Sequence, residues 1–253
     1  MNIALVGYGK MGREVERVAV QRGHVICSRI DPSLQENNQP LISASSLGTS
    51  EVSIEFTHPG AVLDNIRSLA ALKIPMVVGT TGWYQQLPQV EEWVRNAGVG
   101  LIYAPNFSLG VNLFYQIVAK AAGVFQPFAE YDVGLSEVHH RQKLDSPSGT
   151  AKKLIEILLR GLPRKKRAVT GSPQHPLQED DLQVTSSRVG HVPGIHTVLF
   201  DSSADSIELT HTVRSREGFA SGAIMAAEWI QGRKGLFTFE QALSDWLGNL
   251  DRE

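Results

Sequence analysis

Ile3-Ala4-Leu5-Val6-Gly7-Tyr8-Gly9-Lys10-Met11-Gly12 is the stretch on which the reading of this chain turns. Four apolar residues make a buried strand and are too few for a helix. Beyond the glycines, Met11, Val15 and Val18 recur at helical spacing. A strand, a glycine-rich turn and a helix in immediate succession form a dinucleotide-binding unit. In such a unit Gly7 permits the tight turn, Gly9 lets the backbone approach a pyrophosphate, and Gly12 lets helix pack closely on strand. The free amides of the helix N-terminus face the anion. A second strand, Val25-Ile26-Cys27-Ser28-Arg29-Ile30, runs to Asp31, nineteen residues past Gly12. There an acid meets the adenosine ribose hydroxyls. Arg29 or Lys10 could instead hold the extra phosphate of NADP, so the sequence leaves NADH or NADPH open. The expected cofactor contacts here are Gly7, Tyr8, Gly9, Lys10, Met11, Gly12 and Asp31.

The alternation continues outward. Residues 52–56, 75–78 and 99–103 read as strands, and 61–72 and 85–96 as helices. Alternating strands and helices imply a parallel sheet, with ligands at the carboxyl ends of its strands. Gly79-Thr80-Thr81 and Ala104-Pro105-Asn106-Phe107 stand at two such ends and are candidate nicotinamide contacts. From about residue 130 the texture changes. Strands at 130–139, 183–189, 194–200 and 206–213 are joined by turns, with a helix near 150–160 and another before 130. This predicts a second domain of α+β type with an open, mostly antiparallel sheet. Helical stretches at 223–231 and 239–247 return the chain to the first domain.

Residues 137–151, Glu-Val-His-His-Arg-Gln-Lys-Leu-Asp-Ser-Pro-Ser-Gly-Thr-Ala, are the densest in chemistry. His139, His140 and Lys143 leave a strand end, and a Pro-Ser-Gly-Thr turn then opens a helix. Ser148 can cap that helix, and the amides near Gly149 and Thr150 make an anion site suited to a carboxylate. Lys143 and the histidines supply protons and positive charge beside it. Adjacent strand residues point to opposite faces, so His139 and His140 share one role only if the strand has already ended. Arg188, in a loop running to His196, suits bidentate pairing with a carboxylate.

The rest of the composition narrows the class. The chain has 253 residues, 42% of them hydrophobic, and 24 basic against 26 acidic side chains. A net charge of −2 argues against a dedicated nucleic-acid binder or a membrane-surface protein. The basic run Arg164-Lys165-Lys166-Arg167 is expected to be a solvated loop. Cys27 is the single cysteine, which excludes an internal disulfide, and no metal site is expected. No apolar run approaches the roughly 18 residues of a spanning helix. Residues 1–6 lack the basic leader and cleavage site of a secretory signal, so a cytoplasmic protein is expected.

Together these motifs resemble the 4-hydroxy-tetrahydrodipicolinate reductase (dihydrodipicolinate reductase) family. The likeness runs through Gly7 to Gly12, Phe56-Thr57-His58-Pro59, residues 78–82, 104–107, 137–151 and 188–196. It implies a dinucleotide-binding domain over 1–107 and 218–253, and a substrate-binding and oligomerisation domain over 108–217 that builds a homotetramer. It also implies a reaction: NADH or NADPH reduces a cyclic imine dicarboxylate, with loss of water, in diaminopimelate and lysine biosynthesis. By position His139 and Lys143 resemble the catalytic groups. His140, Ser148, Gly149, Thr150 and Arg188 resemble the substrate site. Two departures stand out. The glycine loop is one residue shorter than the commoner form, and Ser146 replaces the usual alanine before Pro-Ser-Gly-Thr. Two alternatives remain open at this level: another two-domain dehydrogenase acting on an amino acid such as aspartate, and a non-catalytic NAD(P)-sensing protein.

Overall fold

The computed structural model of the chain describes residues 1–34, 42–173 and 175–248. It divides into two compact units, Met1–Leu109 with Arg216–Glu253, and Gly110–Ser215. Of the segment expected to return to the first domain, residues 249–253 lie outside the described residues. The chain runs β1 (Asn2–Val6), α1 (Lys10–Gln21), β2 (Val25–Ile30), α2 (Ala44–Leu47), β3 (Val52–Glu55), α3 (Val62–Ala71), β4 (Met76–Val78), α4 (Leu87–Ala97) and β5 (Gly100–Tyr103). It continues as α5 (Leu109–Phe125), β6 (Asp132–His139), α6 (Gly149–Gly161), β7 (Arg167–Thr170), β8 (Asp181–Arg188), β9 (Ile195–Asp201) and β10 (Ser206–Thr212). Finally come α7 (Glu217–Trp229), β11 (Gly235–Thr238) and α8 (Phe239–Leu247).

The first unit is a six-stranded sheet of order β11-β5-β4-β3-β1-β2. Every pairing in it is parallel. Alternate residues of β1 face opposite layers. Ile3 and Leu5 join Val15, Val18, Ala223 and Ile224 in one core, while Ala4 and Val6 join Ile66, Leu69, Val90 and Val94 in the other. The chain leaves β1 outward to β2 and returns on the far side as β3, so the topological switch point lies between β1 and β3. Ligands of open parallel sheets bind at that point. The outer strand β11 was not foreseen. It is four residues long, starts at Gly235 and runs directly into the capping box of α8, built by Thr238 and Gln241.

The second unit holds a five-stranded sheet of order β10-β9-β6-β8-β7. It is mixed, where a mostly antiparallel sheet was expected. The β10–β9 and β9–β6 pairings are antiparallel, but β6–β8 and β8–β7 are parallel. The reason is α6, which carries the chain from β6 across to β7, so the new strand enters in the same direction. One face of β6 is buried at Val133, Leu135, Glu137 and His139, and the apolar pair packs with Leu154, Leu158, Val184 and Phe200.

The basic run is a structural pin rather than a solvated loop. The Lys165 side chain is 2% exposed; its Nζ donates to the carbonyls of Glu179 and Asp181, both at 2.7 Å, and pairs with Asp132. Arg164 donates to the carbonyls of Phe125, Gln126 and Tyr131, and Arg167 pairs with Asp181. Backbone carbonyls and the carboxylates of Asp132 and Asp181 are the partners of Arg164, Lys165 and Arg167. Among the described residues no helix is long and apolar enough to cross a membrane.

Candidate active site

In the first unit three adjoining clefts open over the carboxyl ends of β1, β3, β4 and β5. The central one, about 460 Å³, is lined by Gly9, Lys10, Met11, Phe56, Thr57, Gly79, Thr80 and Thr81. A second, about 220 Å³, shares Met11, Phe56 and Gly79 with it and adds Ala104 to Phe107, Arg216 and Phe219. The third, about 360 Å³, runs from Gly7 and Gly9 to Asp31, Pro32 and His58. The structure thus gathers most of the expected cofactor contacts into one continuous groove.

The three glycines have separable causes. Gly7 has φ +89°, and a Cβ there would sit 2.1 Å from the Phe56 carbonyl oxygen. A Cβ on Gly12 would sit 2.3 Å from the Gly7 oxygen. Gly9, by contrast, has nothing within 4 Å of its missing Cβ. The first and last are fixed by close packing, and the middle one leaves bare backbone facing the groove. That is the cradle a diphosphate requires, so the residues present fit a dinucleotide. At the far end the Asp31 carboxylate accepts the Tyr8 N–H at 2.6 Å and both the N–H and hydroxyl of Ser33, at 2.8 and 2.6 Å. Partial burial would raise its pKa, but these donors outweigh it and hold the group ionised. Tyr8 and Gly12 shape the loop and are not among the residues lining these three clefts, and Phe107 is 1% exposed, so its ring belongs to the core.

A buried acid ties the loops of this groove together. Glu55, at the end of β3, accepts from the Thr57 hydroxyl and, at 3.2 Å, from the Asn65 amide. The Thr57 N–H donates to the Thr80 hydroxyl at 2.7 Å. Burial pushes the Glu55 carboxyl up against these bonds. Gly79 must be glycine because a Cβ would enter the Phe56 ring, 2.0 Å from its edge. Phe56, Thr57 and Arg216 were not among the expected site residues. The first two could have been found from their place directly after a strand in a parallel sheet.

In the second unit β6 ends at His139, so His140 begins the following turn and is freed from strand alternation. Lys143 lies in that turn, its Nζ 2.7 Å from Asp145 Oδ1. Ser148 caps α6 by accepting the Ala151 N–H, and Gly149, the first helical residue, has nothing within 4 Å of its missing Cβ. The hydroxyl of Ser148 also meets His196 Nε2 at 3.2 Å, and the residue is 2% exposed. Ser148 therefore supports the helix end, while the amides of Gly149 and Thr150 stand at it. Arg188 spends its donors inside the protein, on the carbonyls of Lys143, Asp145 and Ser187 and on Glu137 Oε1 at 3.2 Å.

Behind these groups lies Glu137, which sequence reasoning passed over. Strand register puts Ser186 of β8 and His196 of β9 beside it, and Arg188 beside His139. Its carboxylate accepts the Ser148 N–H at 3.1 Å and the Ser186 hydroxyl at 2.8 Å. Burial would raise its pKa, but hydrogen bonding from His196, Ser148 and Ser186 outweighs that and holds it well below the usual carboxylate range. Burial pushes His139 down to about 4, opposed by Glu137 and reinforced by His196, Lys143 and Arg188. Glu137, His139 and His196 are spaced so that one ligand atom from each lies within 4.8 Å of the others. Arg188 pairs with Glu137 Oε1 at 3.2 Å and brings positive charge to this carboxylate. The overlooked signal was parity, since Glu137 continues the face of Val133, Leu135 and His139.

The chain matches the family profile described as dihydrodipicolinate reductase, N-terminus, over residues 1–107, and its C-terminus counterpart over residues 110–243. It belongs to the dihydrodipicolinate reductase family. It is 40% identical to the 4-hydroxy-tetrahydrodipicolinate reductase of Christiangramia forsetii over 98% of this chain and 100% of that one. It is 36% identical to the enzyme of the same name from Aquifex aeolicus over 93% and 95%. Its fold is similar to that of a dipicolinate-bound dihydrodipicolinate reductase from a Paenisporosarcina species. That likeness has a TM-score of 0.76 at 24% identity over 94% of this chain and 97% of that one. An amine dehydrogenase from Mycobacterium smegmatis shares the fold more distantly, with a TM-score of 0.60 at 12% identity over 95% of each. The first unit carries a groove that fits a dinucleotide, and the second gathers cations and amides whose chemistry suits carboxylates.

Proposed function

We propose that this protein catalyses the NAD(P)H-dependent reduction of 4-hydroxy-tetrahydrodipicolinate to tetrahydrodipicolinate, with loss of water, in diaminopimelate and lysine biosynthesis. Its membership of the family and the bare Gly9 cradle beside Asp31 support the dinucleotide half. The observation that carries the substrate half is one strand end, after β6, that presents His139, His140, Lys143 and the open N-terminus of α6. A dicarboxylate suits those receptors, because ammonium, imidazole and free amides all favour carboxylate oxygens.

The first unit is the dinucleotide-binding domain. Gly7 to Gly12 hold the diphosphate, Asp31 the adenosine ribose, and Gly79 to Thr81 with Ala104 to Phe107 the nicotinamide end. The bound nicotinamide supplies the hydride. The second unit is the substrate and oligomerisation domain. Gly149 and Thr150 amides with His140 receive a substrate carboxylate, Ser148 holds the helix end, and Arg188 braces the turn. Hydride addition leaves an electron-rich centre that takes a proton, and Lys143 Nζ is the donor. With its pKa pushed down to about 4, His139 is neutral near pH 7 and acts as proton acceptor and relay. An NAD(P) sensor without turnover has no use for such acid–base groups, and against a dehydrogenase acting on aspartate, itself a dicarboxylate, stands the family match along nearly the whole chain. The same proposal makes the protein a cytoplasmic homotetramer; the edge strand β10, with Ile207 46% exposed, supports assembly through the second unit.

The test is nicotinamide absorbance with substrate generated freshly from pyruvate and aspartate semialdehyde. Substrate-dependent oxidation of NADH or NADPH is expected, and Lys143→Ala lowers kcat about 100-fold with unchanged dinucleotide affinity. Tight dinucleotide binding without oxidation of either cofactor would leave the sensing alternative in its place.

A further inference from the structure

Glu137 touches more of the second unit's polar groups than any function assigned to it so far explains. Its side chain is fully buried, yet it is not a core filler: Oε1 takes the Ser148 N–H, the Ser186 hydroxyl and an Arg188 N–H. Its Oε2 faces His139 Nδ1 at 3.4 Å and His196 Nε2 at 3.5 Å. His139 Nδ1 is itself buried and makes no hydrogen bond in the resting structure. Two states of that nitrogen are chemically possible. A lone pair aimed at an anionic oxygen 3.4 Å away is repelled, whereas an N–H there is attracted and needs only a small shift to donate. On the opposite edge of the ring, Nε2 abuts Gly194, where a Cβ would sit 3.1 Å away. Glycine keeps that edge clear of a side chain.

We infer that Glu137 is the positioning residue of this site, holding His139 as the tautomer protonated on Nδ1 so that Nε2 carries the lone pair used in proton transfer. The inference rests on the reading of His139 as an acid–base group. A buried carboxylate that orients an imidazole and selects its tautomer is an established device of acid–base catalysis. Through Ser148 and Arg188 the same carboxylate steadies the N-terminus of α6 and the turn carrying Lys143. The groups facing the His139–Glu137 pair are His196 from β9, Arg188 from β8 and Lys143 from the turn; Arg188 and Lys143 offer donors only, and His196 turns its Nε2 to the same Glu137 Oε2 at 3.5 Å.

Imidazole nitrogen shifts in 15N-labelled protein near pH 7 decide the tautomer directly. The wild type is expected to show His139 protonated on Nδ1, and Glu137→Gln to shift it toward the Nε2-protonated form. Because the amide of glutamine can donate to Nδ1, the same variant lowers kcat about 100-fold while the affinity for NADH stays within twofold. Ser186→Ala, which removes one donor from Glu137 and touches no substrate, gives a smaller loss in the same direction. A wild-type His139 protonated on Nε2 overturns the inference even if Glu137→Gln fails to fold. So does a folded Glu137→Gln with unchanged tautomer and turnover. The tautomer is read without substrate, so a protein that oxidises neither cofactor defeats the reductase reading and still leaves the Glu137–His139 pairing decided.

Discussion

At the scale of single residues, the adenosine end of the groove holds a choice between two cofactors. Arg29 is the cation nearest in sequence to Asp31, but its guanidinium is taken by Glu16, with Nε 2.9 Å from Oε2 and Nη2 on Oε1, while the Tyr8 hydroxyl binds the same carboxylate. The Arg29 pair holds Glu16 below the usual carboxylate range, although partial burial opposes it. Asp31 thus faces the groove as an anion without its neighbouring cation, which suits a free 2′-hydroxyl and repels a 2′-phosphate. NADH is therefore expected to give the higher kcat/KM. Glu16→Ala, by releasing Arg29, should raise NADPH use relative to NADH by roughly tenfold, about 1.4 kcal/mol of differential binding. Parallel titrations of the two dinucleotides check this, and an unchanged ratio in the variant removes Glu16 from the account.

At the scale of elements, the two strand ends that matter were legible and the sheet that carries one of them was only half so. The strand, glycine turn and helix at 2–21 could be read because the spacing of the three glycines is itself the signal: Gly7 and Gly12 answer to close backbone packing and Gly9 to the open groove. Residues 137–151 could be read because the groups are contiguous. Glu137, Ser186 and His196 could not, because they meet only through strand register, which period alone does not specify across 49 and 59 residues of chain. The strand β7 and the direction of β8 escaped for a related reason: the role of α6 as a crossover depends on where β7 joins. The basic run is the clearest case of local reading failing, since charge looks solvated until its carbonyl partners are known. From its burial, Lys165→Met should cost about 2–4 kcal/mol by leaving two carbonyls and Asp132 without their donor. Lys166→Ala, on an exposed neighbour, should cost under about 0.5 kcal/mol. Urea midpoints of the two variants make the comparison.

Over the whole molecule, the buried acids Glu55 and Glu137 lean in opposite directions. Glu55 has its pKa raised, so its contribution to stability is present at low pH and fades as pH rises through its folded value. Glu137 has its pKa lowered, so its contribution is present above the ordinary carboxylate range and is lost on acidification. His139, pushed down from 6.5 to about 4, costs the folded state progressively as pH falls between those values, and His211, lowered by burial, acts in the same sense. Both histidines lie in the second unit. Between about pH 6.5 and 5, amide protection factors, taken relative to the intrinsic exchange rate at each pH, should fall in residues 110–215 ahead of the first unit. Equal loss of protection in the two units would contradict these charge states.

The first unit is also split in time. Its core joins Ile3, Leu5, Val15 and Ile54 to Ala220, Ala223, Ile224 and Phe239, and its sheet is completed by β11. A ribosome reading from residue 1 makes the glycine loop early, then must make the whole of 110–215 before the helix that covers Val15 and Val18 exists. The inserted unit has all five of its strands by residue 212. It can close while the apolar face of α1 still lacks its partner α7, so the half that receives the dinucleotide is begun first and finished last.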